Sequence, residues 1–405
     1  MIVTAAIAAG GVIVTRRVQR LAVIALFLPA LALVGCSLGD DPRSAAPAPQ
    51  SSTGTSDATA AGTTATKNTT RLGGADAAVD AAAVAQAVFP SAATGPAGRP
   101  RAVALVDLRD WQAGIAAGML AAAPVGAAVL VSDGARLPPV TSAALARLRP
   151  RGAQALGDAQ VIRVGPRPPA AGGLRSRRIS GADPYELAAA VDSAFSRAKG
   201  ELSKQVVVVS GERPEHGMAA AAWAARSGDS VLFVRRDEVP AATVRALRDR
   251  RRPQIFLLGP ESVIGPETEQ RLRGLGSVRR IEGATPEETA IRFARYRAAG
   301  FGWGVDVPGT NFTVASTARP LGAAAAAMLG SNGVFAPLLL TSSPDRLPAP
   351  LESYLLDLQP GYEGGDPSDA VFNRVWILGG DSSVSARVQA RIDQLAQLVP
   401  VDAGR

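Results

Sequence analysis

Cysteine and histidine are almost absent, with Cys36 and His216 the sole residues of their kinds among 405. A disulfide framework is thereby excluded, and a metal site of Cys and His ligands within one chain is out of reach. Lysine is scarce as well: Lys67, Lys199 and Lys204 are the only lysines among 43 basic residues, so arginine carries the positive charge. That bias fits a GC-rich genome as readily as it fits a function. Aromatic residues make up 4%, too few for a platform that stacks single-stranded bases on rings. No Gly-x4-Gly-Lys-Ser/Thr phosphate loop, Gly-x-Ser-x-Gly nucleophile elbow or aspartate-rich hydrolytic cluster occurs. His216 has Glu215 beside it but no triad pattern around it, and a structural place at the start of an alanine-rich helix is its simpler reading. These gaps predict no catalysis, no cofactor, no metal and no nucleic-acid partner.

What is present is a chain 47% apolar, long enough for two or three ordinary globular cores. The formal charge of +8 falls to +5 without residues 1–35, which hold Arg16, Arg17 and Arg20 and no acid. A mildly basic protein favours anionic partners, although charge sets association and solubility and does not identify the partner.

Those three arginines precede an uncharged apolar run, Leu21–Gly35, in the layout of a secretory leader. The run is short for a bilayer span, which needs about 20 apolar residues. It ends in Leu33, Val34, Gly35 and Cys36, which resembles a lipobox, so Cys36 is expected to accept a diacylglycerol group and become the first residue after cleavage. The alternative is a leader cut elsewhere with Cys36 incidental. Arg16 and Arg17 also leave a twin-arginine export route open. Residues 1–14 form an apolar stretch that no leader needs, so translation is expected to start downstream of Met1. From Ser37 to Thr70, 34 residues of Ser, Thr, Ala, Gly and Pro predict a flexible tether.

Beyond the tether the chain repeats itself. Arg71–Ala81 (RLGGADAAVDA), Arg178–Ala188 (RISGADPYELA) and Arg280–Ala290 (RIEGATPEETA) begin 107 and 102 residues apart. After each comes an alanine-rich helix, a β-branched strand, a second alanine-rich helix, an apolar strand, a polar helix and an apolar strand ending in glycine. In the middle copy the spans are Leu187–Ala198, Val206–Ser210, Gly217–Arg226, Val231–Val234 and Ala242–Arg250. The closing glycines are Gly165, Gly259 and Gly379, placed where a tight turn is expected. Uninterrupted apolar strands alternating with helices predict an α/β fold with parallel sheet covered on both faces. The third copy carries an extra segment, Gly361–Asp369, expected to be an exposed loop in which Gly364, Gly365 and Asp366 match no calcium motif. The run Arg248–Arg252 (RDRRR) is expected to be a solvated helix end.

These starts resemble the cell-wall-binding repeat 2 family, whose units open with Arg, a hydrophobic residue, Gly, Gly, x, Asp, Arg, Tyr, x, Thr, Ala. Arg280, Ile281, Gly283, Thr289 and Ala290 match in the third copy; Gly181, Asp183, Tyr185 and Ala188 in the second; Gly73, Gly74, Asp76 and Ala81 in the first. Pro337–Thr341 resembles the family's Pro-Ile-Leu-Leu-Thr, with looser versions at Val231–Val234 and Val129–Ser132. Gly379, Gly380, Val384 and Ser385 resemble its Gly-Gly-x-x-x-Val-Ser, and Gly259 with Val263 does so weakly. The family's Asp-Ala-Leu after the second strand is replaced by Ala113–Ile115, by His216–Met218 and, near Gly322, by a stretch without aspartate, which puts the ligand in question but not the fold.

The resemblance implies three tandem Rossmann-like, Toprim-like units in a pseudo-threefold arrangement, at residues 71–177, 178–279 and 280–405, after a leader (1–35) and tether (36–70). It also implies a non-catalytic protein attached noncovalently to an anionic cell-wall polymer, and with the lipobox-like end at Cys36 this gives an envelope protein held by lipid on the outer face of the cytoplasmic membrane. Arg71, Arg178 and Arg280 are the candidate polymer contacts, because guanidinium pairs with phosphate or carboxylate and three modest sites give avidity. The plain alternative makes each a surface or strand-capping arginine. A second functional reading is a solute-binding lipoprotein of a transport system, which predicts two lobes around one cleft instead of three equal starts.

Overall fold

The computed structural model describes residues 62–401 apart from 91–94, 96–97, 299, 363–366 and 369, all within one compact unit, Ser56–Arg405. Cys36 and the leader lie outside the described residues. The protein is a mixed α/β structure built on parallel sheets. The end of the segment read as tether is part of the fold, because β1 (Gly62–Ala65) pairs antiparallel with β2 (Thr69–Gly73).

Three sheets share one strand order. The first places β3 (Ala102–Asp107) between β4 (Ala127–Ser132) and β5 (Val161–Val164), with β6 (Ser176–Ile179) outside β5. The second repeats this with β7 (Gln205–Ser210), β8 (Ser230–Val234), β9 (Gln254–Leu258) and β10 (Ser277–Ile281). The third uses β11 (Asn311–Ser316), β12 (Leu338–Thr341) and β14 (Arg374–Leu378), and its fourth strand is β2, from the far end of the chain. Runs such as AVALVD and QVVVVS are buried along nearly their whole length, as expected of strands covered on both faces.

Each repeat start therefore completes the sheet of the copy before it. Arg178 lies in register with Arg163, Arg280 with Leu257, and Arg71 with Ile377, so the first start closes the last sheet. Positions 71, 178 and 280 thus fall inside the fourth strands of the sheets. Each start then turns into a capped helix: Asp76 caps α1 (Ala77–Val88), Asp183 caps α4 (Pro184–Lys199) and Thr285 caps α9 (Pro286–Arg295). The repeated glycine before the cap allows close approach, since a Cβ on Gly181 or Gly283 would lie 2.3 Å from Leu187 N or from Glu288 Cβ.

The second alanine-rich segments meet at the centre. These are α2 (Trp111–Ala117) with the 3-10 turn Gly118–Ala121, the short α5 (Pro214–Gly217) leading into α6 (Ala219–Ser227), and α10 (Gly322–Gly330). α6 and α10 pack against each other and against the 3-10 turn. Alanine and glycine leave so little side chain that the backbones come within contact, and the seam is buried in the largest apolar cluster.

The outer helices are α3 (Pro139–Leu148), α7 (Ala241–Asp249) and α11 (Ala349–Asp357), each following the second strand of its sheet. α8 (Pro266–Arg273) joins β9 to β10, and α12 (Ala386–Leu395) follows β14. Among the described residues, Pro166–Arg175 contains no helix at the corresponding place between β5 and β6. The segment expected to be an exposed loop opens with a short strand, β13 (Gly361–Tyr362), parallel to β15 (Val399–Pro400), whereas Gly364, Gly365 and Asp366 lie outside the described residues.

Candidate functional site

The closing glycines of the strands adopt the left-handed region, with φ of +95° at Gly165, +117° at Gly259 and +92° at Gly379. Two of those turns, at Gly259 and Gly379, present their carbonyls to the next start strand. Arg280 Nη1 donates to Gly259 O (2.7 Å), Nη2 to Ile264 O (3.0 Å) and Nε to Glu269 Oε2 (2.9 Å). Arg71 repeats the pattern: Nη1 donates to Gly379 O (2.8 Å) and Nε to Gln389 Oε1 (2.9 Å). Both side chains are about nine-tenths buried, so these guanidiniums fasten one copy to the next and their donors turn inward. Burial pulls Arg71 below its ordinary range, and Asp381 at 3.7 Å opposes that shift. Arg178 differs. It is exposed, because no helix follows β5 to supply the counterpart of Glu269 or Gln389.

The run at 248–252 also departs from expectation. Arg250 is buried, not solvated: its Nη2 lies 2.5 Å from Asp192 Oδ1 and 2.7 Å from Ser230 Oγ, and its Nε donates to Ser203 O (3.0 Å). The other four residues of the run, Arg248 and Asp249 at the end of α7 and Arg251 and Arg252 beyond it, are exposed and match the solvated reading. Helix periodicity hid this, because Arg250 is the C-cap of α7 and turns back over the sheet edge.

At the carboxyl ends of the strands, where open α/β sheets bind ligands, the tenth position of each start meets a different partner. Asp80 accepts from Gly74 N–H (2.9 Å) and pairs with Arg319 Nη2 at 3.1 Å. Burial outweighs that ion pair and holds the Asp80 carboxyl up at about 6. Thr289 lies 3.1 Å from Nδ1 of the buried His216, whose imidazole burial pushes below its ordinary value. Leu187 lines a small cleft of about 140 Å³ with Asp107, Asp110, Arg167 and Asp183. Burial raises Asp110 there, opposed by the Ala113 N–H it accepts and by Arg167. Sequence reading passed over Asp80, Arg319 and Asp110, although the second aspartate of RLGGADAAVDA, at a position held by Leu187 and Thr289 in the other starts, was a usable sign. Among the described residues, no group of three or more His, Cys, Asp or Glu could hold a metal ion, and no helix is long and apolar enough to cross a membrane.

The Asp80 shift has a testable sign. The native carboxyl keeps its proton to about pH 6 and the unfolded one releases it near 3.8, so between those values the native state binds more protons and stability falls as pH rises. Asp80→Asn lacks this slope. Urea denaturation across that range is expected to show the wild type losing stability relative to Asp80→Asn as pH rises, and parallel curves would refute the assignment.

The fold, mixed α/β with parallel sheets, has known counterparts. Residues 178–269 match the model of Cell wall binding domain 2 (CWB2), so this segment is similar to that family; the matched span is the second of the three related segments. Two solved structures share the fold. Cwp8 from Clostridium difficile superposes with a TM-score of 0.62 at 19% identity, covering 81% of this chain and 52% of that one. Cwp6 from Clostridium difficile superposes with a TM-score of 0.66 at 15% identity, covering 84% of this chain and 51% of that one. The chain thus spans about half the length of the solved structures it matches. The search of curated proteins returns no match.

Proposed function

We propose that this protein binds the cell wall without catalysis, as an envelope lipoprotein whose α/β body holds an anionic wall polymer noncovalently. The observation that carries the reading is the match of residues 178–269 to a cell wall binding domain. The three sheets of one strand order are read as three Rossmann-like, Toprim-like units about a pseudo-threefold axis. Lipid on Cys36 anchors the chain at the outer face of the cytoplasmic membrane, and the segment between Cys36 and β1 spans the distance to the body. Of the three start arginines, Arg178 is the one exposed to reach polymer, while Arg71 and Arg280 act from inside by holding the copies together.

Two measurements test this. The chain from Ser37 to Arg405, free of lipid, is expected to co-sediment with purified sacculi and to release as ionic strength rises. Absence of sedimentation, together with thermal stabilisation by a small molecule, would move the solute-binding reading to the front. Separately, Cys36→Ser in the producing cell is expected to abolish incorporation of labelled fatty acid and shift the protein out of the membrane fraction. Unchanged membrane association would remove the anchor from the proposal.

A further inference from the structure

The first sheet lacks a covering that the other two possess. The connection from β5 to β6 (165–175) is seven residues shorter than that from β9 to β10 (259–276), a loss of about two helical turns. In the second sheet those residues include α8, and Val263, Ile264 and Leu272 pack with Leu257 in one buried cluster. In the third, Val388 and Ile392 of α12 pack with Ile377 in the same way.

The uncovered face differs in chemistry as well. Arg163 stands where Leu257 and Ile377 stand, each in register with its start arginine, and neighbours in register share a face of the sheet. Leu257 and Ile377 are fully buried, whereas Arg163 is half-buried, with its Nε shielded from solvent and without a hydrogen-bond partner. Arg178 beside it is exposed, as are Ser176 and Arg177 before it. Among the described residues, neither Arg163 nor Arg178 forms an ion pair. Arg280, at the place of Arg178 on the second sheet, directs its donors to Glu269 of α8 and to Ile264 O in the turn before that helix.

A groove of about 600 Å³ runs between α3 and the loop 166–175, with Leu145, Ala146, Ala171 and Leu174 in its lining together with Arg99 and Arg149. Leu145 corresponds to Leu247, since each follows by four residues a threonine whose hydroxyl donates to a strand carbonyl: Thr141 to Val131 O and Thr243 to Phe233 O, both 2.6 Å. Leu247 belongs to the cluster that Leu272 of α8 completes. The groove beside Leu145 is the space left by the missing helix.

We infer that the outer face of the first sheet is a docking site for a short amphipathic helix of another protein, which brings a carboxylate to Arg163 and Arg178 and, three residues on, an aliphatic side chain into the groove beside α3. The spacing is read from the covers of the sister sheets, Glu269 and Leu272 on α8 and Gln389 and Ile392 on α12. Charge complementarity decides the sign of the partner. Residues 95–181, which build the first sheet, hold twelve arginines and four aspartates with no lysine or glutamate, while the remainder of the chain holds 31 basic and 31 acidic residues. A helix suits this face better than a polymer chain, because it supplies an apolar ridge and a fixed carboxylate from one element, as α8 does. α8 and α12 are engaged on their own sheets, so the occupant comes from a different protein. The inference goes beyond wall binding, and where both hold, helix and polymer compete for Arg178.

The test uses the chain from Ser37 to Arg405 and, as probe, a fluorescein-labelled peptide of residues 260–276, the cover of the second sheet. Fluorescence anisotropy reads binding, and far-ultraviolet circular dichroism reads the helix gained on mixing, since a free peptide of this length is marginally helical. Arg178→Gln in the protein and Glu269→Gln in the peptide are each expected to weaken binding on the order of tenfold, and the two together to weaken it little further. Arg177→Gln removes the same charge from the other face of β6 and is expected to bind as the wild type does. Both arginines are solvent-facing, and thermal unfolding checks that the variants fold. Equal loss in Arg177→Gln and Arg178→Gln would show a response to net charge alone and overturn the inference. Binding without a gain in helix would mean strand addition at the free edge of β6 and would overturn it too. No binding of the peptide at about 1 mM would do the same, and inorganic polyphosphate that then binds the wild type but not Arg178→Gln would give the face to an anionic polymer.

Discussion

Replacing Arg280 by alanine is expected to destabilise the folded body by about 3–5 kcal/mol, the usual consequence of removing one partner from a buried ion pair. The loss strands three acceptors at once: Gly259 O and Ile264 O lose their donor, and Glu269 keeps only Arg273, whose own side chain is largely exposed. Urea denaturation monitored by tryptophan fluorescence measures it. Arg178→Ala provides the contrast. With an exposed side chain and no helix opposite, it is expected to change stability by no more than about 0.5 kcal/mol. Equal effects at the two positions would contradict the fastening role, because in sequence the two starts are interchangeable.

The second large effect lies in the central seam. A Cβ on Gly330 would sit 2.3 Å from Ala222 O and 2.8 Å from Ala222 Cα, both backbone atoms that no rotamer change can move. Gly330→Ala is expected to cost about 3 kcal/mol, the upper part of the range for overpacking, despite the better helix propensity of alanine. Gly172→Ala is the control, since nothing lies within 4 Å of a Cβ there and its φ is ordinary. A Gly330→Ala protein as stable as wild type would mean that α6 and α10 can separate freely, and the seam would not be the rigid centre of the body.

The two predictions differ in how visible their residues were beforehand. The alternation of strands and helices, the glycine ends and the spans of the middle copy were legible because apolar runs and alanine stretches encode local geometry directly. The observed β7, β8 and α7 agree with the expected spans to within one residue at each end. The capping role of Asp76, Asp183 and Thr285 is equally local, since each side chain reaches an amide two or three residues ahead. The order of elements followed from residues interacting with near neighbours.

Whatever depends on a distant partner was settled only by tertiary structure. Arg71 finds Gln389, 318 residues away, and Asp393 accepts from the Asn68 amide (2.7 Å), so the last sheet is closed by the chain's first described strands. No local pattern announces this, because any edge strand with a free ladder offers the same backbone groups. The start arginines looked equivalent, yet two are buried fasteners and one is exposed, and the cause is a helix present after β9 and β14 and absent after β5. Arg250 read as one of five surface charges until the sheet edge brought Asp192 and Ser230 to it. By itself the sequence determined the α/β class, the repeat and the element order, all products of short-range periodicity. Tertiary structure decided which arginines are spent holding the body together and which remain free for a partner, because burial is a property of the packed whole.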